Sequence, residues 1–398
     1  MTSPGKIIIP LIVTAQFLCT SLWFAGNAVV NEIKTAFHLT DHATGLLTSS
    51  VQLGFISGTL LFAVLTIADR FSPSRVFMIC ALAGALANLG LYLVATDLGT
   101  LLTFRFITGV CLAGIYPVGM KIAADYHQKG LGKALGWLVG ALVLGTAFPH
   151  LLKALTQGVS WYVVIFITTG CAVAGGLMIG GFVPDGPYRK KVTQPDFRAF
   201  FSVFKKPDFR AAAFGYFGHM WELYAFWAFV PALLVSYLQA HPRTEYPVSL
   251  TSFFIIAAGS AGCAIGGYFA ERFGSDKVAF ATLATSGLCC LLSPWFTDLP
   301  LILFLFILLV WGTSVVTDSP QFSTLVATTA PSEAKGTALT IVNSIGFFIT
   351  IFSIQLLDFL VNSAYAPYAY LALALGPLFG LRSLLPLFKK QQKVISTR

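Results

Sequence analysis

Residues 300–317 read PLILFLFILLVWGTSVVT, eighteen consecutive positions without a charged side chain. A helix needs about 20 predominantly apolar residues to cross a lipid bilayer. The whole chain has this character: 56% of its 398 residues are hydrophobic and only 10% are charged, against about 25% in an average soluble domain. This composition predicts an integral membrane protein. It makes a soluble enzyme or a nucleic-acid-binding protein a poor interpretation.

Twelve apolar segments are long enough to span a membrane, and we number them spans 1 to 12 in chain order. Their expected bounds are 7–30, 43–67, 76–95, 100–125, 133–154, 160–183, 211–238, 249–270, 278–296, 300–327, 337–360 and 366–388. With twelve spans both termini lie on one side, and the loops and tails on that side hold 20 of the 25 Lys and Arg residues. The positive-inside rule therefore predicts a multi-pass protein of the cell's inner (plasma) membrane with both termini in the cytoplasm.

The chain divides into two halves that resemble each other. Residues 184–210 carry seven Lys or Arg residues and predict a cytoplasmic linker between six-helix bundles at 1–183 and 211–398, with an interfacial helix around 197–204. Asp69 and Glu271 are 202 residues apart, and Tyr116-Pro117 and Ser319-Pro320 are 203 apart. The steady offset predicts an all-α integral membrane fold of twelve transmembrane helices in two pseudo-symmetric six-helix bundles, with a substrate site between them.

Two loop and helix motifs resemble those of the major facilitator superfamily. Residues 267–277, GYFAERFGSDK, are similar to the family's loop signature, and the first half matches it at Asp69, Arg70 and Arg75 while Leu65 and Ser72 replace glycines. Arg105-Phe-Ile-Thr-Gly109 resembles the family's Arg-x-x-x-Gly motif. The resemblance covers the twelve-span pattern of the whole chain. It implies a secondary transporter that works by alternating access.

The resemblance also implies a conformational latch at the inner face. Asp69 is expected beside the start of span 11 near Gly336, and Glu271 beside the start of span 5 near Gly132, because a helix N-terminus favours an acidic side chain. The alternative is that both acids are solvated loop charges with local basic partners. The expected latch residues are Asp69, Arg70, Arg75, Glu271, Arg272 and Lys277.

Ionisable residues at bilayer depth are costly and indicate function. Glu222 lies near the middle of span 7 with His219 one turn earlier on the same face, so the two are expected to share a proton or a hydrogen bond. Asp318, before Ser319-Pro320, is a second candidate proton site. Each acid has a structural alternative as a hydrogen-bonded anchor. Charges nearer the span ends predict interfacial pairs instead: Lys121, Asp125, Glu333, Lys335 and Asp358.

Arg105 needs a carboxylate, helix carbonyls or an anionic solute, because its guanidinium stays charged. The resemblance implies a role in coupling or anion binding, and snorkelling to the outer interface is the alternative. Aromatic and amide side chains predict the rest of the solute pocket. These candidates are Trp23, Asn27, Gln52, Tyr116, Tyr224, Trp227, Gln321 and Asn343.

The sequence therefore predicts a transporter of a small organic solute, coupled to protons, with uptake by symport as the leading interpretation. Drug or metabolite efflux by proton exchange is the alternative, which the aromatic-rich spans favour. The late proline of span 5, Pro149, weakens it, because the family's Gly-Pro antiporter signature is not met. No enzyme motif is present, and no cofactor or metal is expected. The expected partners are the solute, protons and the lipid bilayer, with no nucleic acid, and the expected state is a monomer.

Overall fold

The computed structural model places the chain in twelve membrane-crossing segments. It describes residues 5–126, 131–189, 204–330 and 335–396, and at 5–7, 131–133, 335–337 and 388–396 the backbone alone. In these residues eleven helical segments are long and apolar enough to cross a membrane, and the shorter apolar helix Ile8–Thr20 begins span 1. We call the end of the bundle that holds the two termini the inner end and the opposite end the outer end.

The first six spans occupy residues 5–182. Their helices are Gly5–Thr20, Ala25–Ala28 and Val30–Ala36 (span 1), Ala43–Val64 (span 2), Pro73–Leu93 (span 3), Leu98–Ala113 and Tyr116–Tyr126 (span 4), Leu131–Leu155 (span 5) and Tyr162–Phe182 (span 6). A four-residue helix, Ile67–Arg70, lies in the loop between spans 2 and 3.

The last six spans begin at residue 207. Their helices are Pro207–Ala240 (span 7), Val248–Phe273 (span 8), Ser275–Leu292 with the 3₁₀ turn Ser293–Asp298 (span 9), Leu301–Thr317 and Ser319–Thr329 (span 10), Lys335–Val361 (span 11), and the 3₁₀ segment Ala366–Ala374 followed by Leu375–Ser396 (span 12). Residues 190–203 of the predicted linker lie outside the described residues, and with them all of the expected interfacial helix at 197–204 except Phe204. Glu333 and the side chain of Lys335 also lie outside them.

Spans 4 and 10 are interrupted at equivalent places. Span 4 breaks between Ala113 and Tyr116, and span 10 breaks at Asp318. A proline follows each break, Pro117 and Pro320, and proline removes a backbone donor and crowds the preceding turn. Irregular backbone before a proline thus occurs in both halves at the repeat offset.

The glycine of the Arg-x-x-x-Gly motif has a packing role. A Cβ atom at Gly109 would lie 2.1 Å from the carbonyl oxygen of Val51, and one at Gly54 would lie 2.0 Å from that of Phe106. Spans 2 and 4 therefore approach each other backbone to backbone, as small residues allow in membrane helices. This contact fixes span 4, and with it Arg105, against the centre of the first half.

Spans 5 and 8, and spans 2 and 11, bring the two halves together. A Cβ at Gly140 of span 5 would lie 3.2 Å from Ser260 Oγ of span 8, while Gln355 of span 11 donates to Ser49 Oγ of span 2 at 2.8 Å. The outward faces of the bundle are apolar: Leu86 is 70% exposed and Ile302 is 85% exposed. Such apolar surface on every side fits lipid and not water.

The two repeated inner loops turn by different means. Gly274 takes φ 97° after span 8, whereas Thr66 takes the left-handed conformation, φ 49°, after span 2. Leu65 and Ser72, which replace glycines of the family signature, have negative φ angles of −82° and −58°. The first loop therefore makes its tight turn at Thr66 and does not need glycine at either replaced position.

Candidate substrate and coupling site

Span 1 is broken in mid-membrane, and Arg105 of span 4 bonds to the break. The predicted single helix ends at Thr20 and resumes at Ala25. Arg105 is 1% exposed and donates to the carbonyl oxygen of Leu22 at 3.0 Å and to that of Trp23. Backbone carbonyls of span 1 thus accept hydrogen bonds from the guanidinium inside the protein, and the alternative of snorkelling to the surface is wrong.

Asn27 joins the same network. Its Oδ1 lies 3.4 Å from the Arg105 guanidinium, and its Nδ2 donates to Thr48 Oγ1 of span 2 at 2.6 Å. Within the described residues no carboxylate forms an ion pair with Arg105, and its Nε has no hydrogen-bond partner. The centre of the first half therefore carries a buried positive charge held by neutral oxygens.

Four aromatic rings meet where the halves touch, and we call them the central aromatic cluster: Trp23, Phe55, Tyr224 and Phe347. Trp23 stacks against Tyr224 at 5.5 Å and against Phe347 at 5.8 Å between ring centroids. Phe55 lies 4.4 Å from Phe347. All four rings are 4% exposed or less, so the two halves close on each other through aromatic faces in this structure.

Two buried hydrogen-bond donors that border the central aromatic cluster have no acceptor in the described part of the chain. Trp23 Nε1 donates to Gln52 Oε1 at 3.3 Å, which leaves the Gln52 amide nitrogen without a partner. The ring centroid of Trp227 lies 5.3 Å from that of Tyr224. Its buried indole N–H also has no hydrogen-bond partner among the described residues. Predicted residues Trp23, Gln52, Tyr224 and Trp227 thus do come together.

His219 and Asp318 form a buried pair at the break of span 10. His219 Nδ1 lies 2.8 Å from Asp318 Oδ1, and both side chains are fully buried. Neither ring nitrogen of His219 and neither carboxylate oxygen of Asp318 has a hydrogen bond of good geometry among the described residues, so the contact is a close ion-pair distance. The rings of Tyr216 and Phe322 lie about His219, 5.8 and 6.0 Å away. The contact joins spans 7 and 10 in the half that follows the linker.

Glu222 has different partners from those expected. Its carboxylate accepts from the indole N–H of Trp311 in span 10, from Ser286 Oγ at 2.8 Å and from Cys290 Sγ at 3.3 Å in span 9. The predicted sharing of a proton or hydrogen bond with His219 is therefore wrong, because His219 turns to Asp318. Glu222 lies inside the second six-helix bundle, away from the contact between the halves.

Tyr116, Gln321 and Asn343 lie on the inner side of the central aromatic cluster. Tyr116 begins the second piece of span 4 and interacts electrostatically with Tyr216 and Tyr224 of span 7. Gln321 is buried just past the break of span 10, and Asn343 is half-buried one turn from Phe347 on span 11. The sequence analysis missed Gln16 of span 1, whose buried amide has no hydrogen-bond partner among the described residues. A lone amide in an otherwise apolar helix was the available signal.

A polar contact also joins the halves at their outer end. His42 Nδ1, before span 2, lies 2.7 Å from Asp358 Oδ2 near the end of span 11. The sequence predicts a pair of this kind near a span end for Asp358, although the carboxylate is only 2% exposed. In the adjoining loop, the hydrogen bond and charge of Lys34 lower the pKa of Asp41. The loop therefore keeps an ionised carboxylate close to His42.

The inner loops hold the predicted latch residues. Asp69 pairs with Lys121 of span 4 at 2.7 Å, whereas Asp125, the expected partner of Lys121, is 3.9 Å away. Arg189, after span 6, donates to the carbonyl oxygens of Asp69 and Phe71. The other predicted latch residues are exposed: Arg70, Arg75, Glu271, Arg272 and Lys277.

Comparison with known families and sequences agrees with this architecture. The profile of the Major Facilitator Superfamily matches residues 12–354. A niacin transporter of Acinetobacter baylyi, NiaP, is 38% identical over 112 residues, 25% of this chain and 25% of that protein. A multidrug transporter of Candida glabrata, FLR1, is 28% identical over 158 residues, 38% of this chain and 28% of that protein. The matched stretches span well under half the length of these relatives.

Solved structures of similar fold cover nearly the whole chain. A bacterial homologue of the human lysosomal transporter Spinster, in an inward-facing and occupied conformation, matches with a TM-score of 0.72 at 15% identity, over 100% of this chain and 99% of that one. The human organic anion transporter MFSD10 (TETRAN) matches with a TM-score of 0.69 at 14% identity, over 96% and 100% of the two chains. At these identities the likeness concerns the fold alone.

Proposed function

Because this chain belongs to the major facilitator superfamily, we propose that it carries a small organic solute together with protons, in the direction of uptake. The membrane transport of a solute follows from the family. The coupling ion, the direction and the residues below are our proposal.

The His219–Asp318 pair is the observation that carries the proton-coupling proposal. A carboxylate taken out of water needs a countercharge and hydrogen bonds, and Asp318 has a close histidine but, among the described residues, no hydrogen bond of good geometry to either oxygen. Neutralisation by a proton relieves that cost. The pair lies at the interruption of span 10, where a change in charge can alter the backbone contacts of the inner piece. Glu222 and Cys263 are the other titratable groups that interact with Asp318.

Glu222 is the second proposed proton site. It already accepts three hydrogen bonds, so its charge is better satisfied than that of Asp318. We propose that it responds to the protonation of Asp318 through the shared helices 7 and 10. Arg105 acts in the same proposal by holding Trp23 at the solute site.

The remaining features of the proposal follow from charge distribution and packing. The termini and the linker are on the side of the membrane where the loops and tails hold most Lys and Arg residues, and by the positive-inside rule that side is the cytoplasm. The chain works as a monomer of two bundles, 1–183 and 211–398, that rock about the central aromatic cluster. In the conformation that is closed at the inner end, Asp69 exchanges its partner Lys121 for the start of span 11, and Glu271 meets the start of span 5.

The test is gradient-driven uptake in proteoliposomes, after a thermal-shift screen of the purified chain against organic anions, cations and neutral compounds, since a ligand stabilises the folded state by mass action. We expect an inside-alkaline gradient to drive accumulation of a hit. Asp318→Asn and Glu222→Gln should lower this accumulation at least about tenfold while solute exchange without a gradient stays within about threefold. The control is Glu245→Gln, an exposed acid in the loop after span 7.

Accumulation that survives a proton ionophore would overturn proton coupling. Movement driven only by an inside-acid gradient would replace proton symport by proton exchange, the efflux alternative. Full accumulation by both variants would remove Asp318 and Glu222 from the mechanism.

A further inference from the structure

We infer that the solute is a flat aromatic monocarboxylate that binds at the central aromatic cluster. This inference rests on the proposed transport function and deepens it by naming the chemical class of the solute. Three independent features of the cluster carry it: ring orientation, the kind of unpaired polar group, and net charge.

Trp23 provides a flat wall of the binding site. It makes interplanar angles of 29° with Tyr224 and 24° with Phe347, whereas Tyr224 and Phe347 are tilted by 50° to each other. Trp23 belongs to the first half, and Tyr224 and Phe347 belong to the second. When the halves separate, the Trp23 face parts from the two rings that it stacks on, and a planar ring can stack in the gap. Aromatic pairs of this kind are attractive beyond the burial of their area.

The unpaired polar groups at the cluster are donors. The oxygen of the Gln52 amide already accepts from Trp23, so the group left for a ligand is its NH₂. The Trp227 indole offers an N–H and cannot accept. A buried donor without an acceptor loses its bonds to water and gains none in return, which costs free energy. A solute that supplies acceptor oxygens removes this cost, whereas a solute that supplies donors does not.

The charge at the cluster is positive. Arg105 is bonded to the backbone of Trp23 itself, and within the described part of the chain it has no carboxylate partner. Among the other buried charges, His219 and Asp318 form a pair, and the Glu222 carboxylate is held by three hydrogen bonds within spans 7, 9 and 10. A single negative charge on the solute would compensate Arg105 at short range in a medium of low dielectric constant. A cationic solute would meet repulsion.

The experiment measures binding of four size-matched probes to the purified full-length chain by calorimetry and by quenching of tryptophan fluorescence. The probes are benzoate, benzamide, benzylamine and cyclohexanecarboxylate. We expect benzoate to bind at least about tenfold more tightly than benzamide and benzylamine, because they lack its charge. We expect it to bind about fivefold or more tightly than cyclohexanecarboxylate, which carries the charge without the flat ring.

Two conservative variants locate the site. Trp227→Phe keeps the ring and removes the free N–H, and Gln52→Leu removes the free NH₂; each should weaken benzoate binding about three- to tenfold. Trp295→Phe is the matched control, since Trp295 is 59% exposed at the end of span 9. Thermal unfolding of each variant confirms that it is folded before its affinity is compared.

Equal affinity for benzoate and cyclohexanecarboxylate would overturn the aromatic requirement, and preference for benzylamine would overturn the anionic one. Unchanged benzoate binding in both variants would overturn the location. Tight binding of benzoate without proton-driven uptake would instead contradict the proposed function and leave the solute class standing. Proton-driven uptake of another compound, with no benzoate binding, would contradict the solute class and leave the proposed function standing.

Discussion

Asp358 accepts a hydrogen bond from the backbone N–H of Gly45 at 3.0 Å, across the contact between the two halves. Gly45 lies in the first turn of span 2, so the carboxylate of span 11 occupies the positive end of a helix in the opposite half. This is the arrangement that the sequence predicts for the inner latch, found here at the outer end. His42 and the Gln355–Ser49 hydrogen bond flank it.

The glycine at position 45 is required for this outer contact. A Cβ there would lie 2.7 Å from Asp358 Cγ and 2.8 Å from its Cβ. We expect Gly45→Ala to push span 11 away and to raise the rate at which a membrane-impermeant maleimide labels a Ser49→Cys variant about three- to tenfold. Gly170→Ala is the control, because nothing lies within 4 Å of a Cβ at Gly170. Equal labelling in both would show that the contact does not close the outer end.

Asp358→Asn separates charge from hydrogen bonding at the same place. Asparagine can still accept from Gly45, but it loses the attraction to His42 and to the helix N-terminus, together about 1–3 kcal/mol in a partly buried site. Faster labelling of Ser49→Cys than in the unchanged background is expected, by less than Gly45→Ala gives. A slower rate than in that background would contradict an attractive role for the carboxylate.

The Asp69–Lys121 ion pair is expected to affect the rate of transport. We expect Asp69→Asn to lower kcat for transport about five- to tenfold with KM within about twofold, because the pair lies at the inner end, away from the solute site. Lys121→Gln tells whether the effect passes through the ion pair: it should match Asp69→Asn, and the double variant should be no slower. Glu245→Gln serves as the exposed control. Additive losses would mean that the two side chains act separately.

Arg105→Lys tests the broken helix of span 1. Lysine keeps the charge but has a single ammonium nitrogen in place of the two terminal nitrogens of the planar guanidinium. It therefore cannot donate to the Leu22 and Trp23 carbonyls in the same geometry. The thermal midpoint should fall by several degrees, and transport should fall at least about tenfold. Arg243→Lys, an exposed arginine of the outer loop, should change neither. A stable and active Arg105→Lys protein would show that the break in span 1 holds without the guanidinium.

Local pattern determined much of what the sequence could predict. Apolar length located the spans, because this signal acts within one helix. The break in span 1 carries no proline, and the side chain bonded to it is Arg105, 83 residues from Leu22. Composition near Leu22 could not indicate it.

The candidate site was predictable as a set of residues but not as a set of contacts. His219 and Glu222 share a helix face by spacing, yet which helices lie against that face decides their partners. Span 10 places Asp318 against His219 and places Trp311 against Glu222. His219, expected beside Glu222, therefore pairs with the second candidate proton site, Asp318.

The contacts of Glu222 constrain how the second half can move. Its carboxylate ties span 7 to Ser286 of span 9 and Trp311 of span 10 through bonds that a neutral acid would make less strongly. A proton on Glu222 would thus loosen three helices of one bundle relative to each other before any gap between the bundles changed. The half that follows the linker would then deform internally during the cycle, and a description of transport as two rigid bodies tilting would leave out that step.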